Sequence, residues 1–279
     1  MSGTLYLVGT PIGNLSDLSP RAKQILASVD FIAAEDTRVS LKLLNHFDIR
    51  RPLVSYHEHN RAQSGEKILA RLLAGESCAL VTDAGMPAIS DPGEDLVRLC
   101  AAHDVTVSPV PGPSACIAAL AASALPTQRF CFEGFLSTAK KSRAEHLREL
   151  KDEKRTMIFH EAPHKLVRTL ADMLAAWGDR DVAVCRELTK LHEQFFRCTL
   201  SEALAYYEQN PPKGEFVLVI RGAEEAAAPE MTRAEALELV KRLRGEGMRL
   251  KDACREAADA AGLATNELYQ AALRESSGD

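Results

Sequence analysis

The sequence predicts an α/β protein in two halves, the first built on a mostly parallel sheet and the second on a mixed one, followed by a small helical tail. Three observations carry this. Over the first 125 residues short apolar runs alternate with helical stretches across short connections, the pattern of a parallel sheet covered by helices. Farther on, the strand candidates 181–187 and 193–199 lie too close together for a crossover helix and are expected to pair antiparallel. From residue 230 the strands give way to three short helical stretches separated by Gly247 and Gly262.

In chain order, the strands of the first half are expected at 5–9, 29–34, 53–57, 78–82 and 105–109. Helices fill 19–28, 38–47, 61–74 and 93–103, with a last one after Ser114. Ser19-Pro20 starts the first of these, serine as N-cap and proline at the first helical position. A change at Leu125-Pro126-Thr127 marks the boundary between residues 1–125 and 126–224. The second half has strand candidates at 130–135, 156–161, 181–187, 193–199 and 215–221. Ala223 to Pro229 looks like a linker, and 232–245, 249–261 and 264–274 form the helical tail within 230–279.

Composition narrows the function. With 46% hydrophobic and 26% charged residues, the 279-residue chain has the make-up of a soluble globular protein with a full core. Its longest apolar runs are far short of a membrane span, and a basic-then-apolar signal peptide is missing from its N-terminus. Seven scattered cysteines without a CxxC pair fit reduced thiols in a cytoplasm rather than disulfides or structural zinc. A net charge of −5 predicts no generally basic surface, so contact with nucleic acid must come from local patches.

Three loops rich in glycine and proline each follow an apolar run. They are Gly9-Thr10-Pro11-Ile12-Gly13-Asn14, Asp83-Ala84-Gly85-Met86-Pro87, and Pro109-Val110-Pro111-Gly112-Pro113-Ser114-Ala115. In an open parallel sheet ligands bind outside the carboxyl ends of the strands, where such loops gather. Glycine admits close backbone approach and proline stiffens the loop, so the chain reads as an enzyme binding a small molecule.

Residues 5–15 (LYLVGTPIGNL), 32–38 (IAAEDTR), 81–93 (VTDAGMPAISDPG), 110–115 (VPGPSA) and 130–136 (FCFEGFL) resemble the ribosomal small-subunit RNA methyltransferase I family, within the tetrapyrrole methylase superfamily. The resemblance extends through Arg186–Lys190, Lys213–Glu215 and the tail. It implies two domains with S-adenosylmethionine in the cleft between them, and a cytoplasmic homodimer. The activity implied is methylation of a cytidine ribose 2′-hydroxyl in the 16S rRNA of the small ribosomal subunit. Pro11, Asp83, Ala84, Gly85, Met86, Pro111, Ser114, Ala115, Leu188, Gly214 and Glu215 are thereby expected to bind the cofactor.

The chemistry needs acceptor oxygen, methyl carbon and sulfur in line, and a base or charge stabiliser for a weakly acidic hydroxyl, without a metal. Glu35, Asp36 and Arg38 stand past the end of an apolar strand: either carboxylate can serve as base and Arg38 can hold a phosphate, or Asp36 or Thr37 simply starts a helix. Lys190 and Lys213 are candidates for steering RNA or lowering the acceptor pKa, against the ordinary fate of a solvated lysine. Asp83 either accepts hydrogen bonds from a ligand or forms a turn, and Ser114 is expected to cap its helix, which is compatible with binding.

His160-Glu161-Ala162-Pro163-His164 fits the HExxH pattern, but Met157-Ile158-Phe159 reads as a strand and Pro163 breaks the helix a zinc site needs. His57-Glu58-His59 reads as polar cleft lining, lacking a third ligand. For RNA, two basic clusters stand out: Lys140, Lys141 and Arg143 with the basic residues up to Arg155, and Lys241, Arg244 and Lys251 with their neighbours in the tail. Both can neutralise phosphates, and the first equally suits a solvated helix face. The tail resembles a helix-turn-helix whose second helix carries one arginine at its end, which fits docking or dimer contact as well as groove reading. Two rivals remain, a methylase acting on a tetrapyrrole and a non-catalytic cofactor-sensing regulator. The basic clusters oppose the first and the three ligand-type loops the second.

Overall fold

The computed structural model describes residues 2–224 and 231–276. The expected linker lies outside the described residues except for Ala223 and Glu224. The chain divides into two compact units, Met1–Ala223 and Glu224–Asp279.

The first unit holds two five-stranded sheets. In the first, β1 (Thr4–Val8), β2 (Phe31–Ala34), β3 (Leu53–Ser55), β4 (Cys78–Val81) and β5 (Thr106–Val110) stand in the order β3-β2-β4-β1-β5, every pair parallel. The inner strands β2 and β4 are buried throughout, and so they read as unbroken apolar runs. Alternate residues serve opposite faces. Phe31, Ala33, Cys78 and Leu80 join one core with Ile68 and Leu72 of α3 (Arg61–Leu73) and Leu96 of α4 (Glu94–Ala102). Ile32, Ala34, Ala79 and Val81 join another with Ala22 and Leu26 of α1 (Pro20–Ser28) and Leu44 of α2 (Thr37–His46). Ser19 caps α1 through its side chain, which accepts from the Ala22 N–H at 3.1 Å.

The second sheet comprises β6 (Phe130–Phe135), β7 (Thr156–Glu161), β8 (Asp181–Arg186), β9 (Gln194–Thr199) and β10 (Phe216–Ile220), in the order β6-β7-β10-β8-β9. Only β6 and β7 run parallel; β8 and β9 pair antiparallel, as their short connection requires. On one face Met157, Phe159, Leu218 and Ile220 pack against α6 (Lys140–Glu149), α7 (Leu166–Trp177) and α8 (Leu200–Gln209). On the other, Ile158, Ala183, Val217 and Val219 meet Cys116, Ala119 and Leu120 of α5 (Ala115–Ala122). The helix that ends the first half therefore covers the second sheet. Each fully buried leucine or phenylalanine here contributes roughly 1.5–3 kcal/mol.

The second unit is three helices, α9 (Arg233–Gly245), α10 (Leu250–Ala261) and α11 (Thr265–Ser276), around Val240, Leu243, Ala253, Cys254, Ala257 and Leu268. A capping box starts α9, with Thr232 and Glu235 satisfying each other's backbone N–H groups, and Gly262 ends α10 in a left-handed conformation.

Candidate functional site

The three glycine-bearing loops meet at the carboxyl edge of the first sheet. Thr10 and Gly85 exchange backbone hydrogen bonds of 2.9 and 3.1 Å, tying the first loop to the second. Gly9 and Gly112 bring the first loop against the third. A Cβ on Gly9 would stand 2.7 Å from the Gly112 Cα, and one on Gly112 would stand 2.7 Å from the Gly9 carbonyl oxygen. Gly85 has φ +86°, a conformation that side chains oppose even where space allows them.

Between these loops and the second sheet lies a cavity of about 430 Å³, within the range of small-molecule sites. Of the residues singled out from the sequence, Glu35, Asp83, Ala84, Gly85, Met86, Ser114, Ala115, Leu188 and Glu215 line it. Pro11 lines a smaller hollow next to it. Pro111 is exposed and outside the lining, and Gly214 packs on the Glu187 side chain.

The strand ends are cross-linked. The Asp83 N–H donates to Glu35 Oε2 at 3.4 Å, and the Asp36 N–H donates to Asp83 Oδ1 at 3.2 Å. Burial pushes both the Glu35 and the Asp83 carboxyl above the usual range. Asp91 is pushed up to about 6, first by burial and then by the charges of Glu35 and Asp83. The lining contains Glu35, Asp83, Asp91, Glu161 and Glu215, with neither a lysine nor an arginine.

Several expectations change. Asp36 is the N-cap of α2: its Oδ1 accepts from the Arg38 N–H at 2.8 Å, and the Arg38 guanidinium donates to both its oxygens. Those bonds hold the Asp36 carboxyl down at about 2, so it is a poor base, and the same pair keeps Arg38 from acting as a lone phosphate clamp. Ser114 stands at the N-cap of α5 but makes no capping hydrogen bond; its hydroxyl lies 3.2 Å from Cys116 Sγ. Burial disfavours the Lys190 ammonium, yet hydrogen bonds to Glu187 (2.9 Å) and Glu215 (3.0 Å) outweigh it and raise its pKa. Lys190 is thus a neutralised cation beside the site. Lys213 is exposed outside the lining, its carbonyl accepting from Arg186 Nε at 2.6 Å.

In the basic clusters Lys140 and Lys141 are exposed, but Arg143 is buried, its Nε donating to Asp172 at 2.7 Å. That arginine holds α6 to α7 and has no free charge for a phosphate. Lys241, Arg244 and Lys251 are exposed on α9 and α10, Lys241 within 2.8 Å of Glu238.

The far wall escaped sequence reading. A bulge between Phe132 and Gly134 in β6 precedes Phe135, which lines the cavity. His160 stands edge-on to Phe132 and Phe135, with ring centroids 5.1 and 5.4 Å away. Its Nε2 is buried without a hydrogen-bond partner among the described residues, and burial lowers its pKa. Glu161 accepts from the Ala162 N–H at 2.8 Å and from the Thr169 hydroxyl at 2.6 Å. β7 ends at Glu161 and a 3₁₀ turn starts at Pro163, so His160 and His164 do not share a helix. Among the described residues, no group of three or more His, Cys, Asp or Glu is arranged to hold a metal, and no helix is long and apolar enough to cross a membrane.

A parallel sheet whose edge loops close a cavity against a mixed sheet defines the architecture of the tetrapyrrole methylases. Residues 4–204 match the family model described as Tetrapyrrole (Corrin/Porphyrin) Methylases, and residues 230–276 match the RsmI C-terminal HTH domain. The ribosomal RNA small subunit methyltransferase I of Synechocystis sp. is 49% identical over 272 residues, covering 97% of this chain and 98% of that protein. Its counterpart in Escherichia coli O157:H7 is 45% identical over 276 residues, covering 98% and 96%. The chain belongs to the ribosomal RNA small subunit methyltransferase I family. Among solved structures, cobalt precorrin-4 methyltransferase is 19% identical with a TM-score of 0.57, over 77% of this chain and 94% of that one. Diphthine synthase, 13% identical, has a TM-score of 0.60 over 78% and 90%. These two share the fold.

Proposed function

We propose that this protein transfers a methyl group from S-adenosylmethionine to the ribose 2′-hydroxyl of a cytidine in the 16S rRNA of the small ribosomal subunit. It would act in the cytoplasm as a homodimer, with 1–125 and 126–224 as the methylase domains and 230–279 as a third. The observation that carries the cofactor reading is the charge of the cavity, five carboxylates and no lysine or arginine. S-adenosylmethionine is net positive, so these groups attract it, and a tetrapyrrole with acidic arms would be repelled. Ile12, Met86, Leu188 and Phe135 supply apolar surface for an adenine ring, and the unpartnered His160 Nε2 offers a hydrogen bond.

When bound, the cofactor would supply an electrophilic methyl carbon for the acceptor oxygen, with its positively charged sulfur as the leaving group. This chain's residues position that oxygen and take its proton. Glu35 is the better-placed base of the Glu35–Asp36 pair: it lines the cavity, and its raised pKa brings it closer to the working pH. Asp83, bonded to the end of β2, keeps the two strand ends in register. Lys140, Lys141, Arg244, Lys251 and Lys241 are the residues for RNA phosphates.

The test is mass spectrometry of small-subunit rRNA digests from cells with and without the gene, combined with alkaline hydrolysis. A cytidine whose 3′ linkage resists alkali only when the gene is present supports the reading. Identical digests overturn it.

A further inference from the structure

A hollow of about 260 Å³ lies beside the main cavity, which by itself has the volume of a small-molecule site. The first loop is the partition between the two spaces: Ile12 lines the large one, and Pro11 and Gly13 line the small one. Asp83 lines both. The small hollow is walled by Leu15 and Val39, with 42% and 38% of their surface exposed, together with Leu43 and Lys42. Large apolar side chains left open side by side at a cavity mark a surface made to be covered. Lys42 is exposed on the same helix, whereas Arg38, one turn before it, is paired with Asp36.

From this juxtaposition we propose that the hollow receives the acceptor nucleotide: its base lies against Leu15, Val39 and Leu43, its ribose faces Asp83, and its phosphates lie toward Lys42. The inference rests on the ribose-methylation reading given above. The lining holds one carboxylate, Asp83, which suits a hydroxyl and repels phosphate, and one cation, Lys42. Its apolar side chains accept the face of any base, and so a base turned out of its stack can be held without a sequence-reading groove.

The test uses the full-length protein and small subunits purified from cells lacking the gene. Two variants are compared with the parent, Leu15→Ser with Val39→Ser, and Lys42→Ala. Three readouts are taken: KM for subunits, binding of a labelled rRNA fragment, and cofactor affinity by calorimetry. The double variant should raise KM and weaken RNA binding about tenfold, as expected for two lost apolar contacts, with cofactor affinity kept within about twofold. Lys42→Ala should weaken RNA binding and flatten its salt dependence by roughly one phosphate contact. Unchanged KM and RNA binding would overturn the proposal. So would loss of cofactor affinity, which would give the hollow to the donor, or a changed oligomeric state at unchanged KM, which would make this face a contact between copies. The parent's product separates the two readings. A methyl group on a base refutes ribose methylation and with it the placement at Asp83, whereas a ribose methyl with unchanged KM in the variants refutes the hollow alone.

Discussion

Asp91 offers the sharpest test of the acidic cavity. It lines the site, and its carboxylate has no hydrogen bond or ion pair with any described residue. Its pKa is raised from an ordinary 3.8 to about 6. A carboxyl whose folded-state value exceeds its unfolded one binds more protons in the folded state between the two values. Its contribution is therefore fully present below pH 3.8 and is lost as pH rises toward about 6. A shift of that size corresponds to about 3 kcal/mol, and because Asp91 still meets solvent, screening reduces it to roughly 1–2 kcal/mol. Asp91→Asn should accordingly stabilise the ligand-free protein by that amount at pH 7–8, and the gain should vanish as the pH falls below about 4. Urea unfolding across a pH series measures this. The same variant should bind S-adenosylmethionine more weakly, because a charge that opposed folding also attracted the cation. A variant no more stable than the parent at pH 8, or more stable yet with unchanged cofactor affinity, would refute the reasoning.

Other outcomes follow from the same geometry. Glu35→Gln should slow single-turnover methyl transfer about 10²–10⁴-fold at saturating cofactor, whereas Asp36→Asn should leave the transfer step near the parental rate, both measured by rapid quench. Gly85→Val should abolish cofactor binding in calorimetry, since a branched residue resists φ +86° even though its Cβ would meet only ordinary contacts. Arg143→Met should cost about 1.5–3 kcal/mol in urea unfolding without altering the salt dependence of RNA binding. Lys241→Glu with Arg244→Glu and Lys251→Glu should reduce the log–log salt slope by roughly 0.7–0.9 per lost phosphate contact, with cofactor affinity unchanged.

The first sheet was legible because parallel strands buried on both faces leave unbroken apolar runs, as at Phe31–Ala34 and Cys78–Val81, each followed by a polar loop. The mixed second sheet followed from one short connection, between β8 and β9. Choosing between Glu35 and Asp36 was beyond local pattern, because both lie past the same strand end. The choice comes from Asp36 folding back as a helix cap on Arg38 while Glu35 reaches the Asp83 N–H. The fate of Lys190 depends on Glu187 and on Glu215, which is distant in the chain and reaches it only because β8 and β10 pair. Phe135 and His160 had signals that pointed elsewhere. The bulge in β6 is announced only by Gly134, and His160 sat in a pattern considered for zinc. Asp91 lies inside the 81–93 motif between Ser90 and Pro92, where nothing local announces its burial beside Glu35 and Asp83.

The contact between Gly9 and Gly112 has a mechanical meaning. Two backbones this close cannot slide past each other, and the Thr10–Gly85 bridge fastens the remaining loop to the same block. The first-sheet side of the cavity is therefore an anvil. A molecule that fits imperfectly will not be met by movement of these loops, and accommodation falls to the opposite side, where Phe135 is 55% exposed. Attempts to redesign the protein for bulkier donors should thus begin at Phe135, Pro163 and Leu188 and leave the glycines untouched.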